Sequence, residues 1–306
     1  MTFAGIMEKT KKIMKRFTLF TLVLCLLQFS GQAQSWGYGF KVGLNTSGVF
    51  GPSETDADGN DLESFGTIGG FQVGGLVQLK MNKYYGFQTE VLFSQKGADY
   101  KYEGESYKTF TSPIGAILHS TGTRKELIDA TNSYISIPLM VYGNITPNLN
   151  LSFGAYFDIL VSSSATGEIE YEGTLDNGTG DVSKHLVNYT FNYSKDEALE
   201  TAAATPINVL VGSDNISVPY NEAAYTHWET KDGNYYNPID YGLMANLGWR
   251  FTNGLRFDLR ATYGLTDVTN NFYDISSKER DENYELIPRT DFDRSISLQV
   301  TLGFAF

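Results

Sequence analysis

The last eleven residues, Ile296-Ser-Leu-Gln-Val-Thr-Leu-Gly-Phe-Ala-Phe306, set apolar side chains at 296, 298, 300, 302, 304 and 306, with small or polar ones between. A strict period of two makes a strand with one oily face and one polar face. Roughly 9–11 such residues cross a bilayer as a tilted strand, and the same pattern suits the edge of a soluble sandwich. The rest of the chain has to separate the two.

Seven further segments alternate in the same way. They are 37–47 (Tyr38, Phe40, Val42, Leu44), 70–81 (Phe71, Val73, Val77, Leu79), 85–96 (Phe87, Val91, Phe93) and 134–143 (Ile135, Ile137, Leu139, Val141). The others are 149–161 (Phe153, Phe157, Ile159, Val161), 239–251 (Tyr241, Leu243, Leu247, Trp249) and 255–266 (Phe257, Leu259, Tyr263, Leu265). The connections also alternate: 82–84, 144–148 and 252–254 are short, whereas 48–69, 97–133, 162–238 and 267–294 are long. A sandwich gives no reason for that rhythm, and outer-membrane barrels show it. The predicted fold is all-β: an eight-stranded antiparallel transmembrane up-and-down β-barrel with short periplasmic turns and long extracellular loops. An even strand count puts both termini in the periplasm, and closure leaves no bare strand edge in lipid.

Composition agrees. Tyr and Phe number 20 each, 31 residues are Gly, and no internal apolar run is long enough for a spanning helix. Trp36, Tyr84, Tyr85, Tyr142, Trp249 and Phe251 fall at the inferred periplasmic ends, where an aromatic belt should sit. At the N-terminus, Lys11, Lys12, Lys15 and Arg16 precede an apolar run at 17–29, followed by Gly31 and Ala33. That arrangement reads as a cleaved signal peptide, 1–33, with 34–306 as a single barrel domain. Cys25 follows Leu24, where a lipoprotein signal needs a small residue. Loss of the leader takes five basic residues and Glu8, and moves the net charge from −12 to −16. So acidic a chain has no electrostatic route to nucleic acid.

The strands GFKVGLNTS (39–47), GFQVGGLVQLKMNKYYGFQTEVLFSQKGADY (70–100), YISIPLMVYG (134–143) and LRFDLRATYGLTDV (255–268) resemble, in that order, the outer-membrane β-barrel family of Bacteroidota labelled PorT-like or "porin family". The resemblance implies a small barrel in the outer membrane of a Gram-negative bacterium. Through the family's namesake it also offers an accessory role in a secretion assembly of type IX, with a narrow porin as a further alternative.

With the apolar faces outward, Lys41, Lys80, Arg250, Arg256 and Arg260 line the lumen against Glu90, Asp158, Asp240 and Asp258, together with Gln72, Gln78, Gln88, Asn150, Asn246 and Gln299. Eight strands leave room for little besides side chains, so these charges are expected to pair and plug the barrel. Pro138 cannot donate to the ladder, which predicts a bulge there. Phe306 is expected to serve as the C-terminal signal read by the barrel-insertion machinery.

The 162–238 loop is too long to lack structure. Val187, Tyr189, Phe191 and Tyr193 alternate, 207–211 is apolar, and 194–197 reads as a capping box opening a short helix through Ala204. A ten-stranded barrel using this pair is the competing count. In the first loop, Glu54, Asp56 and Asp58 resemble the start of a calcium loop, but Phe65 stands where the bidentate ligand belongs; this leaves a weak Ca²⁺ candidate and no other cofactor. His119, His185 and His227 lie in loops without an orienting partner in sequence, so no catalytic residue is assigned and a lipid-modifying enzyme is the minor alternative. The expected partners are outer-membrane lipid, the insertion machinery and an unidentified envelope protein met by acidic loops. The expected role is surface contact or envelope integrity.

Overall fold

The computed structural model describes residues 35–112, 114–178, 180–198 and 203–306. The leader expected at 1–33 lies outside them. In chain order the strands are β1 (Ser35–Phe50), β2 (Glu63–Lys80), β3 (Tyr85–Thr111), β4 (Ile117–Asn144), β5 (Leu149–Leu175), β6 (Asp181–Phe191), β7 (Ala203–Val211), β8 (Asp214–Glu222), β9 (Ile239–Arg250), β10 (Leu255–Gly264), β11 (Ile275–Arg280), β12 (Leu286–Pro288) and β13 (Arg294–Ala305). No helix occurs among the described residues.

Eight antiparallel strands close a ring in the order β1-β2-β3-β4-β5-β9-β10-β13, and β13 pairs back onto β1 from Gly39/Ala305 to Phe50/Arg294. The ring is inside-out relative to a water-soluble protein. Leu44 is 71% exposed, and Phe40, Val91, Leu139, Phe153, Leu243 and Leu302 also face outward, while Lys41, Glu90, Asp158 and Arg260 are buried. A continuous apolar exterior around a charged interior is what a surrounding hydrocarbon selects.

Three of the strands continue well past the ring. Within 97–133, expected as a loop, residues 97–111 and 117–133 are instead the upper parts of β3 and β4, paired as far as Thr111/Ile117. β5 pairs with β9 from Leu149 to Ile159, then changes partner and pairs with β6 from Ala165 to Thr174. The β7–β8 hairpin follows β6, and Tyr220 of β8 returns to within 5.9 Å of Phe110 of β3. The upper strands thus curl into a cup on the long-loop side of the ring. Ile169, Tyr171, Val187, Tyr189, Val209 and Tyr225 form its apolar core.

One residue reconciles the two environments. Leu160 pairs with Tyr134 and Ser162 with Ser133, so Val161 is an extra residue in β5. Below it the even-numbered side chains Asn150, Ser152 and Asp158 face inward; above it the odd-numbered Ala165, Ile169 and Tyr171 do. A single inserted residue reverses the facing of everything beyond it. Polar-in packing inside lipid becomes apolar-in packing inside the cup.

Three further expectations fail. Pro138 makes no bulge: the β3–β4 ladder lapses between Thr89/Leu139 and Leu92/Ser136 and resumes in the same register, because the missing donor interrupts bonding without adding a residue. The helix after Ser194 is absent among the described residues. Asn192, Lys195 and Asp196 form a turn closed by Asp196 accepting from the Asn192 N–H, and Ala203 already belongs to β7. The ten-stranded count fails because β6, β7 and β8 lie outside the ring.

Candidate functional site

The lumen carries a network built by strand parity. Inward positions of β3 are even-numbered, which brings Gln88, Glu90 and Lys96 to one wall. Lys96 escaped the sequence reading, although its parity with Glu90 places it there. Four buried cations, Lys41, Lys96, Arg256 and Arg260, face four buried carboxylates, Glu90, Asp158, Asp240 and Asp258. Glu90 takes Lys41 Nζ at 3.0 Å and Arg260 Nη2 at 2.7 Å. Asp258 takes Arg256 Nε at 2.8 Å and lies 3.4 Å from Lys41. Lys96 reaches Asp158 at 2.6 Å. Asp240 is met by hydroxyls instead, accepting from Tyr156 (3.1 Å), Ser295 (2.6 Å) and Thr266 (2.5 Å).

Ring order shows how far these contacts reach. β3 and β10 are four strands apart in a ring of eight, so Arg260–Glu90 and the 2.7 Å bond from Arg256 to Gln88 each span the full diameter. Nearer the short turns, Arg250 of β9 donates to Gln78 of β2 at 3.2 Å, again between opposite strands. Gln72, Asn150, Asn246 and Gln299 are buried in the same interior, whereas Lys80 and Arg250 are half-buried near its end.

The remaining candidates divide. Trp36, Tyr84, Tyr85, Trp249 and Phe251 are exposed at the short-turn end. Tyr142, expected in the same belt, is instead only 3% exposed, because its parity is opposite to outward-facing Leu139 and Val141. Phe306 is exposed, and its N–H donates to Tyr38 O at 2.8 Å. Glu54, Asp56 and Asp58 are not brought together as ligands. Glu54 accepts from Ser276 Oγ and Ser277 N, while Asp56 closes its own turn by accepting from the N–H groups of Asp58 and Asn60. No group of three His, Cys, Asp or Glu side chains suited to a metal occurs among the described residues. His119 stacks on Tyr284 at 3.8 Å, His185 meets the Tyr220 ring edge at 4.6 Å, and His227 lies 5.8 Å from Trp228.

Sequence reading missed a cavity of about 200 Å³ where the ring opens into the cup. Tyr193, Trp228, Tyr235, Tyr236 and Tyr273 line it, together with Glu63, Glu126, Glu222, Asp274, Asp291, Asp293, Arg124 and Arg289. Arg289 binds Glu63 through 2.8 and 3.0 Å contacts and Asp291 at 2.6 Å, and comes no closer than 3.9 Å to Asp274. Arg124 pairs with Glu126 at 2.5 Å, and Lys108 pairs with Glu222. Burial, reinforced by the neighbouring Asp291, pushes the Asp274 carboxyl up to about 8; burial pushes Asp293 up to about 6. These residues come from strands and loops far apart in the chain, and no local spacing announces them.

A closed antiparallel ring with an apolar exterior and a charged interior defines a membrane β-barrel. The chain belongs to the outer membrane protein beta-barrel domain family, whose model matches residues 32–270. No curated protein matches it. Similar solved structures include Ail, the attachment invasion locus protein of Yersinia pestis, in complex with the heparin analogue sucrose octasulfate (11% identity, 89% of this chain and 99% of that one, TM-score 0.32). Others are OprG of Pseudomonas aeruginosa (11%, 90% and 99%, 0.32) and the outer membrane protease OmpT of Escherichia coli (7%, 90% and 99%, 0.27). At these scores the likenesses carry no argument about function.

Proposed function

We propose that this chain is a non-conducting outer-membrane barrel whose working part is the cup, held on the cell surface for contact with an envelope or external partner. The arginine bonds across the full diameter of the ring carry this reading, Arg260–Glu90 above all. A path for solutes needs a continuous gap, and side chains joined between opposite walls at successive levels interrupt it. The short turns face the periplasm together with both termini, residues 1–33 act as the export signal, and Phe306 is presented to the insertion machinery. No residue is assigned a catalytic role, and no cofactor is required for the barrel to close.

Reconstitution in planar bilayers tests the sealed lumen: the wild type passes no steady current, and a stable open channel overturns the reading. Orientation is tested separately in intact cells. A cysteine replacing Ile114, at the exposed β3–β4 tip, reacts with a membrane-impermeant maleimide, whereas one replacing Lys83 does not. The reverse labelling pattern would place the cup in the periplasm.

A further inference from the structure

The cavity between ring and cup has a charge imbalance that its own residues leave unresolved. Around Arg289 stand four carboxylates, Glu63, Asp274, Asp291 and Asp293, and a single guanidinium cannot answer them all. Arg124, which also lines the cavity, is engaged with Glu126, and Lys108 with Glu222. Burial and the neighbouring Asp291 carboxylate both raise Asp274, so the two like charges are close enough to oppose one another. Asp274 Oδ2 and Asp291 Oδ1 have no hydrogen-bond partner, and neither does Oδ1 of Asp293, a residue only 7% exposed. Leaving such oxygens unanswered in a half-dry space is costly.

Much of the remaining lining is aromatic. Tyr235 and Tyr236 lie 5.2 Å apart, Tyr193 stacks on Tyr235 at 4.9 Å, and Trp228 meets Tyr273 at 4.8 Å. Aromatic faces attract cations and also accept an apolar body. A hydrated metal ion would use the carboxylates and leave the aromatic wall idle. A neutral sugar or alcohol would use the wall and leave the negative charge unanswered.

We propose that this cavity is a binding site for a small organic cation, an ammonium or guanidinium on an apolar or aromatic body. Its charge enters among Asp274, Asp291 and Asp293, and its body packs against Tyr235, Tyr236 and Trp228. The proposal is independent of whether the lumen conducts.

The test is calorimetric titration of the purified full-length barrel with 2-phenylethylammonium, with neutral 2-phenylethanol, and with Ca²⁺. The ammonium gives a saturable heat, the alcohol none, and Ca²⁺ does not displace the amine. In Asp274→Asn/Asp291→Asn, affinity falls by about tenfold or more, as expected for loss of charge-assisted bonds. Tyr236→Leu keeps every carboxylate and also weakens binding. Heat-modifiable migration shows whether each variant is folded. Should the double variant not fold, the wild type alone decides: with an amine protonated throughout, affinity must be higher at about pH 8.5 than at about pH 5.5. Equal binding of the alcohol, displacement by Ca²⁺, absence of saturable heat, a flat pH profile, or a folded double variant that binds unchanged each overturns the proposal.

Discussion

Tyr156 in β5 lies directly opposite Gly242 in β9, and its ring occupies the space a Cβ at 242 would need. A Cβ there would stand 2.7 Å from the ring and 2.1 Å from the Tyr263 carbonyl oxygen. The same pairing recurs at Tyr142 across from Gly86 and Tyr189 across from Gly167. An aromatic ring laid over a cross-strand glycine pins register and covers exposed backbone. Tyr156 also lies beneath Lys96, whose Nζ is 4.5 Å from its ring centroid, and donates to Asp240.

Gly242→Ala is therefore expected to push the ring off its seat and loosen the upper lumen. The loss is about 1–3 kcal/mol, the usual range for overpacking. The midpoint of urea unfolding, followed by gel mobility, checks it. An unshifted midpoint removes the glycine seat as a source of stability.

Glu90 joins Lys41 and Arg260. Glu90→Gln leaves two buried cations facing a neutral amide, at an expected loss of about 3–5 kcal/mol, the range for breaking a buried pair from one side. Replacing Lys41 with Met in the same chain restores part of it, since one of the two cations left beside the amide is then gone. Unfolding midpoints of the single and double variants measure the coupling directly.

Deleting Val161 removes the extra residue at the point where β5 changes face. Ala165, Ile169 and Tyr171 would then turn toward water while the ring strands below keep their pattern. The expected product is an inserted barrel whose 162–238 segment is cleaved by added protease. A protease-resistant cup in the deletion mutant would show that the reversal does not depend on this residue.

Acid should stabilise the cup. Asp274, raised to about 8, and Asp293, raised to about 6, hold protons in the folded state that the unfolded chain releases near the ordinary carboxylate value. Their contribution is fully present below that ordinary value and is lost as pH rises through 6 and then 8. Glu126 is raised as well, chiefly by burial, and acts in the same direction; Glu222, lowered by Lys108 and Arg124, opposes it only at more acid pH. Thermal unfolding monitored through Trp228 is expected at a higher midpoint near pH 6 than near pH 8.5. Asp274→Asn should flatten most of that difference.

The alternating segments, the short turns and the outward face of each ring strand were legible in the residues themselves, because a period of two is a local property that one register shift would undo. Parity alone placed Glu90 and Arg260 inside, and read more strictly it would have placed Tyr142 and Lys96 there too. The partner of each charge was not legible. Arg260 meets Glu90 because β10 and β3 are opposite in a closed ring, and closure is a property of all eight strands together. Nor did any window of sequence show that β3, β4 and β5 continue beyond the ring, since polar stretches such as 97–133 read alike as loop or as solvated strand. The bulge at Val161 and the cavity lined by Tyr236, Asp274 and Arg289 arise from pairings between distant segments. Local chemistry determined which way the side chains of the ring point; only the tertiary structure decided what they meet and where β5 changes face.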